Sequence, residues 1–369
     1  MAAYSSSSAR SSTALGAASV GSTQAHQDGN ASKNEHEKTG RGPSVRLYSI
    51  SNFLSRQQQQ LTSTGSTGSS KSKGGIIHLI RHAEGYHNVN REYKNPAHID
   101  AQLTPRGIDQ CMLLSKHIQN LLLNPEDADG DGDVDGDGDV DGDVMIYNQR
   151  NIYDVQYIIS SPMRRALQTA QHSFQHLHTH TNKGASQQFH NNKDPTDSTD
   201  TSTTDNTISP VATVTTVPFI ASEEWRETVN YLCDQRISST ELKQSFPFVN
   251  FDQITHEHDP IWQMYEEKYG PHDVYTKMRE SDDDVQLEHR ARKAWDFIAQ
   301  QQQQRQQEEG KEEEEGCIIA IVSHSAFFMH MFTRPELGVV SYQDEEVEQL
   351  MTERGFDNCE MRSVAFEIV

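Results

Sequence analysis

Arg81 and His82 follow Ile80 without a break. Ser160, Ser161, Pro162, Met163, Arg164 and Arg165 follow Ile159, and Ser323, His324 and Ser325 follow Val322. Each of three short apolar runs therefore ends on a cationic or imidazole group. Two histidines and two arginines, with no cysteine nucleophile among them, point to phosphate chemistry. A guanidinium offers a planar fork of donors that matches phosphate oxygens. A neutral imidazole is a nucleophile that can take a phosphoryl group covalently. A second, charged histidine would stabilise the equatorial oxygens, and the leaving alcohol needs a proton from a nearby carboxylic acid.

The runs that must position these groups are IIHLI (76–80), VQYIIS (155–160) and CIIAIVS (317–323). They are β-branched and nearly continuous, as strands covered on both faces are. Helical patterns lie between them. LTPRGIDQCMLLSKHIQNLL has Thr104 as N-cap, Pro105 at the first helical position, and Ile108, Met112, Leu114, Ile118 and Leu121 at helical spacing. Met163, Ala166, Leu167, Ala170 and Phe174 repeat in the same way. SVAFEIV, near residue 369, alternates like a half-buried strand. Strands alternating with helices predict a three-layer α/β/α fold around a mostly parallel sheet. In such sheets ligands bind beyond the carboxyl ends of the strands, where Arg81, His82, Arg165 and His324 would meet. Arg165 would also lie in a first helical turn, where free N–H groups favour an anion.

Five segments resemble the histidine phosphatase (phosphoglycerate mutase-like) superfamily, in the family's order. LIRHAEGYHN resembles the RHA-(Q/E)-G-x-H-N motif of one branch. QLTPRGIDQ, SSPMRRALQTA, EEWRETVNYLCDQR and IVSHSAFF resemble the four motifs that follow it. The resemblance implies that His82 is the phosphorylated nucleophile and that Arg81, Arg165 and His324 complete the phosphate pocket. It implies that Asn88 contacts the phosphate and that Glu227 is the proton donor. His87 is expected as a substrate contact or a support for its loop, and Arg236 and Asp234 on the substrate side or in a surface ion pair. Ala83 replaces the family's usual glycine and Trp225 a commoner leucine; neither change removes a catalytic group. The implied reaction is hydrolysis of a small phosphorylated metabolite without metal or cofactor. A mutase using the same pocket and a phosphate-binding pseudoenzyme are the alternatives. His78, His82 and His87 raise a metal-hydrolase reading, but their spacing on a strand and its exit does not set three ligands on one face. His78 is expected to be packed structure, and Arg164 a solvated helix residue.

Composition bounds the rest. Of 369 residues 34% are hydrophobic, and the mean hydropathy is -0.77, too polar for the whole length to fold. The net charge of -22 argues against nucleic acid as a partner. Much of it sits in two blocks, residues 124–144 and 308–315. Cys111, Cys233, Cys317 and Cys359 are far apart and form no CxxC, so free thiols are expected rather than disulfides or zinc. No apolar window is long enough to span a membrane. We expect a disordered tail over 1–73 and one domain over 74–369, with low-complexity insertions at about 124–151, 176–216 and 300–316. The Ser/Ala-rich start also fits an organellar transit peptide; a cytoplasmic protein is the expectation, an organellar one the alternative. The DGDGDV repeat lacks the closing glutamate of a calcium loop. It reads as a self-repelling linker, with weak Ca²⁺ association over 127–143 at most.

Overall fold

A strand covered on both faces must be apolar on both, and the Ile76–Ile80 run meets that demand. Its Ile77 and Leu79 join one core cluster while Ile76 and Ile80 join the other. The computed structural model describes residues 44–62, 73–123, 146–147, 150–177, 217–274, 277–309 and 316–369. Within them run β1 (Val45–Tyr48), α1 (Ile50–Thr62), β2 (Lys73–Arg81), α2 (Pro105–Leu123), β3 (Ile146–Tyr147) and β4 (Arg150–Asn151). Next come β5 (Tyr157–Ser160), α3 (Arg164–Ser173), β6 (Phe219–Ala221), α4 (Ser239–Ser245), α5 (Pro260–Tyr269) and α6 (Asp284–Glu309). The chain ends with β7 (Cys317–Ser323), α7 (Ser325–Thr333), β8 (Val340–Tyr342), α8 (Glu345–Thr352) and β9 (Met361–Ile368).

Seven strands form one sheet in the order β6-β5-β7-β2-β9-β1-β8, with only β9 antiparallel to its neighbours. Side chains of α1 to α4 pack with one face of the sheet, and those of α6, α7 and α8 with the other. This is the three-layer α/β/α fold. Register is what matters for the site. β2 runs parallel to β7 from Gly75 opposite Cys317 to Arg81 opposite Ser323. The next residue of each strand is then His82 and His324. Gly75 permits that register, since a Cβ there would lie 2.1 Å from the Cys317 carbonyl oxygen. β5 joins β7 on its far side, Ser160 opposite Val322, which brings Ser161 alongside.

The N-cap of α2 is as expected. Thr104 Oγ1 accepts from Gly107 N–H at 3.0 Å, with Pro105 opening the helix. Met112, expected inside, is 44% exposed, and Cys111 takes the buried position.

Several boundaries differ from the sequence reading. Residues 45–62 are not disordered tail. β1 is an interior strand between β9 and β8, with Val45 and Leu47 fully buried, and Phe53 of α1 packs beside Tyr48. Four residues of strand inside a Ser/Gln-rich context carry too little periodicity to stand out; the long-range partners β8 and β9 supply the stabilisation. The glutamine run from 300 is not an insertion up to Glu309, because α6 continues through it. Gln302 is buried with its amide on Cys317 Sγ (2.6 Å), and Arg305 lies 5.2 Å over the Tyr157 ring. Residues 146–147 and 150–151 pair as a small ladder inside the expected first insertion. β9 does not alternate: Val364, Ala365 and Phe366 are all fully buried, because helices cover both faces of this interior strand. The rest of the expected tail and insertions, the calcium reading of 127–143 and the transit-peptide reading lie outside the described residues. Among the described residues no helix is long and apolar enough to cross a membrane.

Candidate active site

The β2–β7 register fixes the centre. The His82 N–H donates to Ser323 O at 2.9 Å, and the His82 ring stands 5.0 Å from that of His324 and 5.4 Å from that of His87. His82 Nδ1 is 2.7 Å from Ala83 O. A carbonyl only accepts, so Nδ1 carries the hydrogen and Nε2 the lone pair. Burial, then the charges of Arg165, His87 and Arg81, hold the His82 pKa well below its usual value. His82 is therefore neutral near pH 7, with Nε2 available as a nucleophile.

His324 is neutral too, lowered by burial and then by Arg165 and His82. The sequence reading expected it charged; exclusion of water next to buried cations prevents that. It still has a donor to offer. Ser161 Oγ accepts from Met163 N–H (3.3 Å) and lies 2.8 Å from His324 Nε2. The hydroxyl can give its proton to Nε2, which leaves Nδ1–H unpaired in the interior.

Arg165 enters from the first turn of α3 and is fully buried. Nη1 donates to Cys233 O at 2.9 Å and Nη2 to Asp234 Oδ1 at 3.3 Å, while Nε has no partner. Arg81 Nη1 donates to Phe356 O at 2.7 Å, and its Nε is also unpartnered. His87 Nδ1 completes the set, with the His87 pKa pushed down to about 2, chiefly by burial. Gly85 lets that ring close in, since a Cβ there would sit 2.8 Å from His87 Nδ1. Buried polar groups are nearly always paired. Four unpaired nitrogens around one nucleophilic imidazole make a cradle for an oxyanion.

Glu227 reaches the cluster from the turn after β6. Its carboxylate accepts from Thr228 N–H (2.9 Å) and from Phe327 N–H (3.0 Å) in the first turn of α7. Those donors alone would lower its pKa. Burial and the neighbouring Asp234 prevail, and the pKa is raised. A carboxyl whose hold on its proton is strengthened in this way, beside such a cradle, can act as a general acid.

The remaining residues divide. Asn88 Oδ1 accepts from Gly85 N–H at 3.0 Å and so braces the turn. His78 is structural as expected, bonded to Ser363 and Ile152 and stacked on Tyr153. Arg164 is not solvated: it is pinned to the carbonyls of Asp100 and Ile99. Arg236 does not face substrate. It is 3% exposed, and its guanidinium donates to Glu223, Ile237 O, Glu257 O, His256 O and His258 O. Five donors meet five acceptors, leaving none for a ligand. Thr169 escaped the sequence reading. Its Oγ1 accepts from Ala83 N–H (3.0 Å) and donates to Arg165 O (2.7 Å), tying the turn after β2 to the first turn of α3. Its place four residues after Arg165, on the same helix face, was the available signal. Asp234, weighed only beside Arg236, instead braces Arg165. Among the described residues no group of three His, Cys, Asp or Glu is arranged to hold a metal.

Beside His87 opens a cavity of about 480 Å³ lined by Arg91, Glu92, Tyr93, Lys94, Asn95 and Tyr231. Tyr93 stacks on Tyr231 at 5.4 Å and stands 6.0 Å from the His87 ring.

No family model matches the chain. It is 28% identical over 296 residues to a phosphoglycerate mutase-like protein of Arabidopsis thaliana, covering 78% of this chain and 83% of that one. It is 25% identical over 294 residues to phosphoglycerate mutase-like protein 1 of the same plant, covering 78% and 79%. Among solved structures it aligns with a phosphoglycerate mutase from Bacillus anthracis at 10% identity and a TM-score of 0.36, covering 81% and 92%. A mycobacterial glucosyl-3-phosphoglycerate phosphatase aligns at 11% identity and a TM-score of 0.34, covering 79% and 90%. The two plant relatives carry the name of the superfamily that the five motifs resemble, and so support that resemblance.

Proposed function

We propose that the protein is a phosphomonoester phosphatase working through a phosphohistidine on His82. The observation that carries this reading is the cradle itself. Arg81 Nε, Arg165 Nε, His87 Nδ1 and His324 Nδ1 are buried and unpaired around a neutral His82. His82 Nε2 attacks the phosphorus, and the bond to the ester oxygen breaks. The leaving alkoxide takes the proton of Glu227. Ala83 O, accepting from Nδ1–H, stabilises the positive charge that the ring gains on phosphorylation. Water then attacks the phosphohistidine, Glu227 takes back a proton, and phosphate leaves with Nε2 restored. The substrate is a small phosphorylated metabolite. The cavity beside His87, with Arg91, Lys94 and two tyrosines, suits a compact anionic body.

The names of the plant relatives favour a second reading, in which a substrate hydroxyl rather than water receives the phosphoryl group. One assay addresses both. Purified protein is given phosphorylated metabolites and an aryl phosphate, and free phosphate and isomerised product are measured. Phosphate release from the wild type, with His82→Ala folded and inactive by on the order of 10⁴-fold or more, is the expected result. Isomerisation without phosphate release would favour the mutase. Turnover retained in His82→Ala would overturn both readings.

A further inference from the structure

The two oxygens of Glu227 are not equivalent. Oε1 accepts from Thr228 N–H (2.9 Å) and Phe327 N–H (3.0 Å), and the Thr228 hydroxyl reaches it at 3.4 Å. Among the described residues Oε2 meets only Ala326 N–H, at 3.5 Å. With three hydrogens already aimed at Oε1, the proton of the neutral carboxyl belongs on Oε2. A hydroxyl can donate or accept, so something must turn the Thr228 hydrogen toward Oε1.

Asn230 does so. Its Oδ1 accepts from two main-chain groups, Arg279 N–H (3.0 Å) and Ser281 N–H (3.2 Å). A main-chain N–H only donates, so the amide cannot be turned over and its NH₂ must face the other way. There it donates to Thr228 Oγ1 (3.0 Å) and to Ser281 Oγ (2.7 Å). Thr228 Oγ1 therefore accepts from Asn230, and its own hydrogen is left for Glu227. The anchor beneath this arrangement is fixed. Val229 N–H donates to Glu280 Oε2 (2.7 Å), and Glu280 Oε1 accepts from Arg290 Nε of α6 (2.8 Å). Ser281 Oγ is also held from α7. Arg334 Nη1, which only donates, lies 3.2 Å from His330 Nδ1, so the ring hydrogen is on Nε2 and is given to Ser281 Oγ at 2.9 Å. Both lone pairs of the Ser281 hydroxyl are then taken, one by His330 and one by Asn230.

We propose that Thr228 and Asn230 are positioning residues for the proton donor: Asn230 turns the Thr228 hydroxyl onto Glu227 Oε1, which confines the acid proton to Oε2. Thr228 is fully buried, so no water competes for its hydrogen. As the proton leaves Oε2, negative charge spreads to Oε1, where three donors already wait for it. The hydroxyl thus helps most when the leaving oxygen needs a full proton, and least when it departs as a stable anion. This consequence for turnover rests on the phosphatase reading above; the hydrogen-bond arrangement does not.

The test uses the full chain and two readouts. One is the titration of the Glu227 carboxyl, followed by NMR in protein carrying ¹³C-carboxyl glutamate, its resonance identified by its absence in Glu227→Gln. The other is turnover of a phosphomonoester with a poor leaving group, set against an aryl phosphate. Thr228→Val removes the hydroxyl at nearly constant shape. Asn230→Asp keeps an acceptor for the two main-chain N–H groups and sets a second carboxylate oxygen toward Thr228, which draws the hydroxyl hydrogen away from Glu227. Its added charge acts in the same direction, and it carries the test if Thr228→Val does not fold. Both variants are expected to move the Glu227 titration up by about one pH unit and to slow the poor leaving group by about tenfold, each the size of one hydrogen bond to a charged group. The aryl phosphate should slow much less, and Thr228→Ser, which keeps a hydroxyl, should recover most of both effects. Asp234 and Cys233 from the following turn, Arg165 from α3 and Arg81 from β2 also act on Glu227, and all four are unchanged in Thr228→Val. A titration unmoved in both variants, equal slowing of the two substrates, or Thr228→Ser behaving as Thr228→Val would overturn the proposal. If no substrate is turned over, the phosphatase reading fails, and the titration alone decides whether Thr228 and Asn230 govern the Glu227 proton.

Discussion

Arg165 and Arg236 are both buried and both bonded to a carboxylate, yet their guanidinium groups end differently. Arg236 meets an acceptor with every donor: one carboxylate and four main-chain carbonyls. Arg165 is steadied by Cys233 O and Asp234 and keeps Nε unpaired, close enough to His82 to depress its pKa. One arginine fastens a loop; the other keeps a buried donor unpaired beside His82. A single unpaired N–H does not make a site, since Trp295 Nε1 is also without a partner. Four such groups around one neutral histidine do. Saturation of donors, more than burial or charge, separates scaffold from chemistry here.

Substitution can break that contrast. Arg165→Ala is expected to lower kcat/KM by about 10²–10³-fold, the cost of removing an oxyanion donor, with a folded protein by circular dichroism. Arg236→Ala should do the reverse. It leaves Glu223 and four carbonyls short of a donor and should cost about 3–5 kcal/mol of stability, read by denaturant titration, while kcat per folded molecule stays at the wild-type value. If Arg236→Ala instead raised KM in a stable protein, the saturated arginine would be a substrate ligand after all. Glu227→Gln should slow a metabolite with a poor leaving group by about 10²-fold or more and an aryl phosphate much less.

A finer probe is Asp234→Asn. Burial and the Asp234 charge hold the Glu227 pKa up. Removing the charge lets the Glu227 carboxylate form more easily, so its pKa falls. The alkaline limb of the pH–rate profile, where the acid loses its proton, should move down by about one pH unit. The acid limb reports protonation of His82, whose pKa lies well below the usual value for histidine, and should stay below pH 6.5 in both proteins. An unmoved alkaline limb would assign the acid to another group. The smallest expected effect is none: turnover should be the same in excess EDTA, whereas inhibition reversed by added metal would favour the metal-hydrolase reading.

Much of this convergence was legible because His82 and His324 follow buried strands directly and Arg165 lies in the first turn of the helix after a third. His82, Arg165 and His324 need only parallel pairing of three apolar runs to converge, and β-branched runs announce that pairing. Glu227 follows a strand of three residues, too short to read by periodicity, and was found through the family motif. Arg236 was misplaced because residue type does not reveal how many acceptors a fold sets around a guanidinium; three of its four carbonyls come from 256–258, some twenty residues away. β1 was missed for a related reason. VRLY carries no signal beside its Ser- and Gln-rich flanks, and its partners, β8 and β9, lie roughly 300 positions along the chain.

The central claim is that His82 Nε2 carries the phosphoryl group. Rapid acid-free quenching of the wild type with ³²P-labelled substrate, followed by peptide mapping, tests it most directly. The account predicts an acid-labile, alkali-stable phosphate on His82 that forms and decays at rates compatible with turnover, and none in His82→Ala. Label on His324, or on no residue while turnover continues, would contradict it.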